Sequence, residues 1–457
     1  MTARKRILRG LAANLASIAT RIAVQLATLP IFFASWNAER VGTWLIVFSV
    51  PGYIALVGNG FAGAGGTASL AAARSGDLSR ARSDFYMSWG ISAMSTGVLA
   101  LLFAGTAMFL TPSLIEGGGN IGIWNVAQAA AWLSLYIFAT SQMAVFDIPF
   151  RVAGRYPDHI FLYNAASLVE IVVIAAAVTF SESLATLAMA LTLTRCVAAI
   201  VVFIAARRVA PEMFRGNRAP AGDSLSHLWR PSLALMFVPL VFGLNLQGYV
   251  LLVGGTYGAI VLANFVATRT LTRLLDLFTN LTYAMQFYES GYLEGEKRAV
   301  QRRMLCTMTL ITFTVCILFS GLLLALGSWL QDLYTLGETR FEPLVATILL
   351  TAASLRSLCA APAAVLTASN AHARMMAIYL AGSAAALIVA ILLSLGGAPL
   401  WLVVLPLLLA EASALVPAIR QALVKLEWTW PQFLAELVAR ERLDDMRQLL
   451  VMLRPKQ

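Results

Sequence analysis

Apolar residues along the chain gather into runs of about 20, the length an α-helix needs to cross roughly 30 Å of hydrocarbon at about 1.5 Å per residue. The pattern predicts twelve membrane spans, at residues 11–33, 42–63, 85–110, 124–146, 160–180, 185–206, 231–252, 258–282, 304–327, 342–366, 375–396 and 400–423. Strands of a membrane β-barrel would read as alternating segments of about 10 residues, and no such pattern is visible.

Composition agrees with this pattern. The 457 residues are 59% hydrophobic and 12% charged, and the mean hydropathy is +0.77. A soluble chain of this size carries about 25% charged residues, so there is too little polar surface to dissolve a globule. The class is a polytopic helical membrane protein.

Charge adds an orientation. With the N-terminus inside, the cytoplasmic side collects Arg4, Lys5, Arg6 and Arg9, then Arg74, Arg80 and Arg82, then Arg151 and Arg155. Arg207, Arg208, Arg215, Arg218, the "EKRAVQRR" cluster, Arg374 and a basic tail follow on that side, against only Arg40 and Arg340 opposite. This is the basic asymmetry of a membrane protein with both termini cytoplasmic. It also accounts for the net charge of +10 through contact with anionic lipid headgroups, so no nucleic-acid partner is expected. The first apolar segment is too long, and too interrupted by Arg21, for a cleaved signal peptide, and is expected to be retained.

The loops and reactive residues argue against an enzyme. The outer loops are short, "SWNAERVG", "TPSLIEGGGNIGI", residues 181–184 and "SWLQDLYTLGETR", and none could fold into a catalytic domain. Cys196, Cys306, Cys316 and Cys359 fall inside spans, where a thiol behaves as a small hydrophobe. His159, His227 and His372 are scattered over three loops. No metal-ligand spacing, phosphate loop or nucleophile motif is present, so neither a metal site nor a cofactor is expected.

The halves repeat. Gly76-Asp77 in "RSGDLSRARS" and Gly295-Glu296 in "LEGEKRAVQRR" are 295 − 76 = 219 apart, and Arg155 in "VAGRYPDH" and Arg374 in "SNAHARMM" are 374 − 155 = 219 apart. Six spans per half is an even number, so the repeat is parallel, the arrangement that places a substrate path between lobes. The expected division is an N-lobe at 1–219, a C-lobe at 220–425 and a cytoplasmic amphipathic tail at 426–457. The boundary is the polar linker "RRVAPEMFRGNRAPAGDSLSH". In the tail, Phe433, Leu437, Met446, Leu450 and Leu453 share one face and Trp428 and Trp430 mark headgroup depth, which reads as a helix lying on the inner surface.

Ionisable residues inside spans carry the functional information. Arg21, Arg195, Arg269, Arg273 and Arg356 stand against Glu170, Asp276 and Glu411. Five lipid-facing arginines would cost on the order of 12–17 kcal/mol, more than a typical stability margin, so these side chains must face protein or a wet cavity. Glu170 with Arg195, and Glu411 with Arg356, match in depth on neighbouring antiparallel spans and are expected as structural ion pairs. In the first span Asn14, Ser17, Arg21, Gln25 and Thr28 form one polar stripe, and in the eighth Arg269, Arg273, Asp276 and Asn280 form another. Tyr163, Ser167 and Glu170 form a shorter stripe in the fifth. Arg269 and Arg273 are like charges one turn apart, which repel unless an anion or an acid lies between them. Pro30, Pro51, Pro239 and Pro362 sit mid-span, where each frees a carbonyl and permits bending.

The "R-x-L-x-G-x-x-x-N" entry at Arg6–Asn14, the paired "GD" and "GE" loops and the stretch "WNAERVGTWLIVFSVPGYIALVGNGFAGAG" resemble the polysaccharide transporters. These belong to the multidrug/oligosaccharidyl-lipid/polysaccharide (MOP) exporter superfamily, which includes the O-antigen flippases. The likeness covers the whole chain in layout. It departs at Asn59-Gly60, where members often carry Asp-Gly. The resemblance implies an all-α integral membrane fold, twelve helices in two parallel six-helix lobes around a central cavity lined by the first and eighth spans. It implies a flippase that moves a polyprenyl-pyrophosphate-linked oligosaccharide, an O-antigen or exopolysaccharide repeat unit, by alternating access. Arg21, Arg269 and Arg273, with Gln25 and Asn14, are its implied substrate contacts; an arginine fork suits phosphate oxygens and stays charged in a dry site. The implied partners are the lipid-linked substrate, the bilayer, and a polysaccharide polymerase or chain-length regulator. A coupling ion, H⁺ or Na⁺, stays open. The alternatives are a MATE-type drug exporter on the same fold and a membrane-embedded polysaccharide polymerase or ligase. Cationic drugs call for an acidic cavity, and a polymerase for a sizeable outer loop.

Overall fold

The structure is a computed structural model that describes residues 3–114, 122–216, 240–241, 243–292, 298–369, 371–439 and 441–442. Among these residues every regular element is helical. The helices of the first part are α1 (Ala3–Phe33), α2 (Ala38–Arg74), α3 (Leu78–Leu114), α4 (Ile123–Val145), α5 (Asp147–Val152), α6 (Tyr156–Phe180), α7 (Leu184–Val209) and α8 (Pro211–Phe214). A π-helical turn at Leu244–Gly248 leads into α9 (Tyr249–Tyr257), α10 (Ala259–Thr272) and α11 (Leu275–Tyr292). Then come α12 (Arg298–Thr335), α13 (Pro343–Ala368), α14 (Ala373–Leu395), α15 (Leu400–Val404), α16 (Leu407–Lys425) and α17 (Trp430–Leu437). Nine helices among the described residues are long and apolar enough to cross a membrane. The linker around residue 219, the start of the seventh expected span with Pro239, and Met446, Leu450 and Leu453 of the tail lie outside the described residues, as do the side chains of Asn14 and Asn59.

Two expected spans are broken. The eighth span is two helices, because the α-helical ladder stops at Thr272. Leu274, Asp276 and Leu277 bond three residues back instead of four, to Leu271, Arg273 and Leu274. The Thr272 hydroxyl also donates to the Arg269 carbonyl at 2.9 Å, in competition with the Arg273 amide at 3.0 Å. The twelfth span is likewise broken at Leu405-Pro406, since proline lacks the amide to continue the ladder. The described part of the tail carries the short helix α17. Phe433 is buried against Trp428 and Trp430, with ring centroids at 5.8 and 6.2 Å. Arg442 is buried and donates to Glu436 at 2.9 Å and to Thr307 of α12 at 3.4 Å. Arg302 of α12 donates to the Leu426 and Glu427 carbonyls, so the tail is fastened to the end of that helix.

Close contacts divide the chain into two compact units, Met1–Ala263 with Tyr334–Glu338, and Asn264–Leu333 with Thr339–Gln457. In the first unit α4 packs on α2, α3 and α7, and α6 packs on α1 and α7. Phe85, Met143, Phe146, Ile148, Phe150 and Val202 form its core beside the α4–α5 break, where Trp89 donates to Gln142 at 2.8 Å. Arg40 pairs with Glu182 at 2.8 Å and Trp36 donates to the Ser181 carbonyl at 3.3 Å, which ties the start of α2 to the loop before α7. Gly42 is a close approach of two backbones in this unit: a Cβ there would stand 1.9 Å from the Ala259 carbonyl oxygen. In the second unit α13 packs on α11 and α16, and α14 on α16. The second, fourth, fifth and sixth spans of each half thus pair in the same way: second with fourth, fourth with sixth, fifth with sixth.

Candidate functional site

Each unit holds a buried cluster of charge. In the first, Arg195 on α7 meets Glu170 on α6 in a bidentate pair: Nε donates to Oε1 at 2.7 Å and Nη2 donates to Oε2. Tyr136 on α4 closes the cluster, accepting from Arg195 Nη2 at 3.0 Å and donating to Glu170 Oε2 at 3.3 Å. The guanidinium also lies over the Tyr136 and Tyr163 rings, at 5.2 and 5.4 Å from their centroids. Both charged side chains are buried, at 4% and 10% exposure. The fork geometry compensates the desolvation of both ions.

The second cluster is a ladder. Tyr379 on α14 donates to Glu411 Oε2 on α16 at 2.7 Å. Glu411 lies 3.8 Å from Arg356 on α13, Arg356 lies 3.3 Å from Asp276 on α11, and Asp276 lies 3.3 Å from Arg273 at the helix break. Side-chain exposure rises along it, from 1% at Glu411 through 17% at Arg356 and 22% at Asp276 to 36% at Arg273. The fit is loose: Glu411 Oε1, Arg356 Nε and Asp276 Oδ1 are buried and make no hydrogen bond. Arg269, on α10, lies over the Phe265 ring at 5.3 Å and is within electrostatic reach of Arg273, Arg356 and Asp276. Three arginines therefore stand against two carboxylates among these described residues.

Arg21 is exposed on α1 and donates from Nε to the Ser17 carbonyl at 3.4 Å. Among the described residues no carboxylate pairs with it. On the same helix the Gln25 carbonyl accepts from Tyr334 at 2.9 Å, and the Thr28 hydroxyl bonds back to the Val24 carbonyl at 2.6 Å. The structure thus brings Glu170 to Arg195, and Arg356 to Glu411, while joining Arg273 to Arg356 through Asp276. Sequence reasoning placed Tyr163 on the Glu170 stripe and overlooked Tyr136 and Tyr379, whose neighbouring apolar residues gave no signal.

No protein-family model and no curated protein sequence matches the chain. Solved structures do. An inward-facing MATE family multidrug resistance transporter of the MOP superfamily aligns with a TM-score of 0.68 at 13% identity, over 89% of this chain and 94% of that one. The lipid II flippase MurJ in an inward closed conformation aligns at 0.65 and 11% identity, over 98% and 94%. A MOP superfamily transporter from Pyrococcus furiosus, whose binding pocket of reverse polarity suggests a different function, aligns at 0.57 and 15%, over 93% and 97%. The chain is an all-α multi-pass membrane protein with the fold of MOP superfamily transporters. These neighbours are transporters and flippases, not enzymes.

Proposed function

We propose that the protein is a flippase of the inner membrane, moving a polyprenyl-pyrophosphate-linked oligosaccharide to the opposite leaflet by alternating access between a lobe at 1–219 and one at 220–425. The carrying observation is the sign of the accessible charge: the exposed Arg21, and a ladder in the second unit whose open end is Arg273 while its acids lie deeper. A cationic site suits a pyrophosphate, whose oxygens take the arginine fork in bidentate fashion. Arg21 and Arg269 are the proposed principal contacts, and Arg273, Gln25 and Asn14 the proposed further ones. The lipid tail stays in the bilayer while the headgroup crosses. Both termini are cytoplasmic in this reading, and the coupling ion is H⁺ or Na⁺. A lipid-linked substrate is supported by the likeness to a lipid II flippase. The fold equally accommodates a drug exporter, but a cationic drug would meet the wrong sign of charge.

The test is complementation of a flippase-null strain, scored for surface polysaccharide with membrane levels of each variant quantified. Arg21→Ala and Arg269→Ala should each abolish export at normal protein levels. Arg21→Lys should restore it only in part, because an ammonium keeps the charge and loses the fork. Full export by both alanine variants would overturn the anionic-substrate reading.

A further inference from the structure

The second unit contains a crevice of about 490 Å³ between the ends of α13, α14 and α16, within the roughly 300–1,000 Å³ of small-molecule sites. Three cations line it: Arg374 in the first turn of α14, and Arg420 and Lys425 toward the end of α16. No acidic side chain lines it. Glu427, the nearest acid along the chain, is engaged by Arg298.

Helical spacing gives the crevice a polarity. Arg374 and Ile378 are one turn apart on α14, with the cation nearer the helix end. Val416 and Arg420 are one turn apart on α16, again with the cation nearer the end. Ile378, Val416 and Val424 are all exposed. Ile378 and Val416 each lie one turn deeper than a cation, while Val424 sits at the rim beside Lys425, and a cationic rim over an aliphatic floor matches an anionic amphiphile.

The repeat shows that this chemistry is specific to the second unit. Arg155, the counterpart of Arg374, pairs with Asp158 at 2.6 Å, and Asp158 also holds Arg9 at 2.8 Å. Shifted by 219, Asp158 becomes Ala377, while Arg420 and Lys425 correspond to Val201 and Ala206. The first unit neutralises its arginine internally and carries Arg207 and Arg208 just past those positions; the second lacks the acid and places Arg420 and Lys425 on the crevice.

We infer that this crevice is a binding site for an anionic phospholipid, its phosphate held by Arg374, Arg420 and Lys425 and an acyl chain laid on Ile378 and Val416. Basic pockets between membrane helices recognise lipid headgroups in this way. The site is separate from Arg21 and the ladder, and it stands whatever substrate the protein moves.

The test titrates phosphatidylglycerol, phosphatidylcholine or glycerol phosphate into the purified full chain in detergent, reading the thermal midpoint and lipid adducts by native mass spectrometry. Phosphatidylglycerol should bind and raise the midpoint, and the other two should do neither at the same concentration. Each of Arg374→Ala, Arg420→Ala and Lys425→Ala should weaken it about fivefold, from about 1 kcal/mol per basic residue. Val416→Trp, which fills the crevice with all charges kept, should weaken it as much. Should the alanine variants not fold, Arg420→Gln and Val416→Trp decide the matter alone. An equal response to phosphatidylcholine would overturn the proposal, as would an equal response to glycerol phosphate, which marks a free-phosphate site. Unchanged binding in Val416→Trp would also overturn it, because the attraction would then be diffuse.

Discussion

Arg195, Glu170 and Tyr136 in the first unit and Arg356, Glu411 and Tyr379 in the second are one arginine, one acid and one tyrosine, each set drawn from the fourth, fifth and sixth spans of its half. The order differs. Arginine sits on the sixth span in one and the fourth in the other, and the acid moves from the fifth to the sixth. In the first unit the set closes on itself, with one cation, one anion, a bidentate fork and a tyrosine touching both. In the second, the tyrosine is hydrogen-bonded to the acid, and Arg356 stands between Glu411 and Asp276 without a fork to either. The same ingredients thus yield a neutral strut in one place and, in the other, a chain of charge that ends in an accessible cation. A buried pair in this fold is therefore not by itself a sign of function. An open-ended one, with its excess charge in reach of a ligand, is the stronger candidate.

The contrast breaks most visibly at the strut. Glu170→Gln should lower thermal stability by about 3–5 kcal/mol, because it strands Arg195 in a buried site. The midpoint in detergent and the membrane yield report it, while export per folded molecule should change little. Glu411→Gln should have a smaller effect, about 1–3 kcal/mol, because Arg356 keeps Asp276 as counter-charge. A Glu411→Gln midpoint as low as that of Glu170→Gln would erase the distinction. Tyr136→Phe should cost about 1.5–3 kcal/mol, since two hydrogen bonds to charged groups go together. Tyr379→Phe removes one such bond to Glu411 and should cost less. Coupling sharpens the comparison further. Glu411→Gln and Asp276→Asn should be non-additive by about 0.5–3 kcal/mol, since both act on Arg356, whereas Glu170→Gln and Asp276→Asn should add within about 0.5 kcal/mol. Melting curves of the single and double variants measure both.

Much of this was legible in the sequence, for a definite reason. Run length reports thickness crossed, so most of the long helices could be read directly. Depth along a span is also linear in residue number, so Glu170 with Arg195 and Glu411 with Arg356 could be matched by height. Direction around a helix axis is harder to read. Depth does not say that Asp276 faces Arg356 as well as Arg273, nor that Tyr136 reaches between two neighbouring helices. The break in the eighth span was hidden because its cause is local: Thr272 competes for a carbonyl inside a run whose apolar pattern continues without interruption. The tail's attachment was not legible in its amphipathic face. Phe433 is on that face as expected, but it covers the end of α12 together with a buried Arg442.

The interruption between α10 and α11 also fixes how far the chain is wound at that point. Three-residue turns advance about 120° per residue and α-helix about 100°. Rewinding the three tight steps at Leu274, Asp276 and Leu277 as α-helix would therefore swing everything beyond them by about 60° around the axis. Arg269 lies before the joint, Arg273 at it, and Asp276 within it. The angular spread of these charges is thus set by winding rather than by the rotamers of their side chains. Twisting the backbone there would re-aim an acid and a cation together without lengthening either side chain's reach.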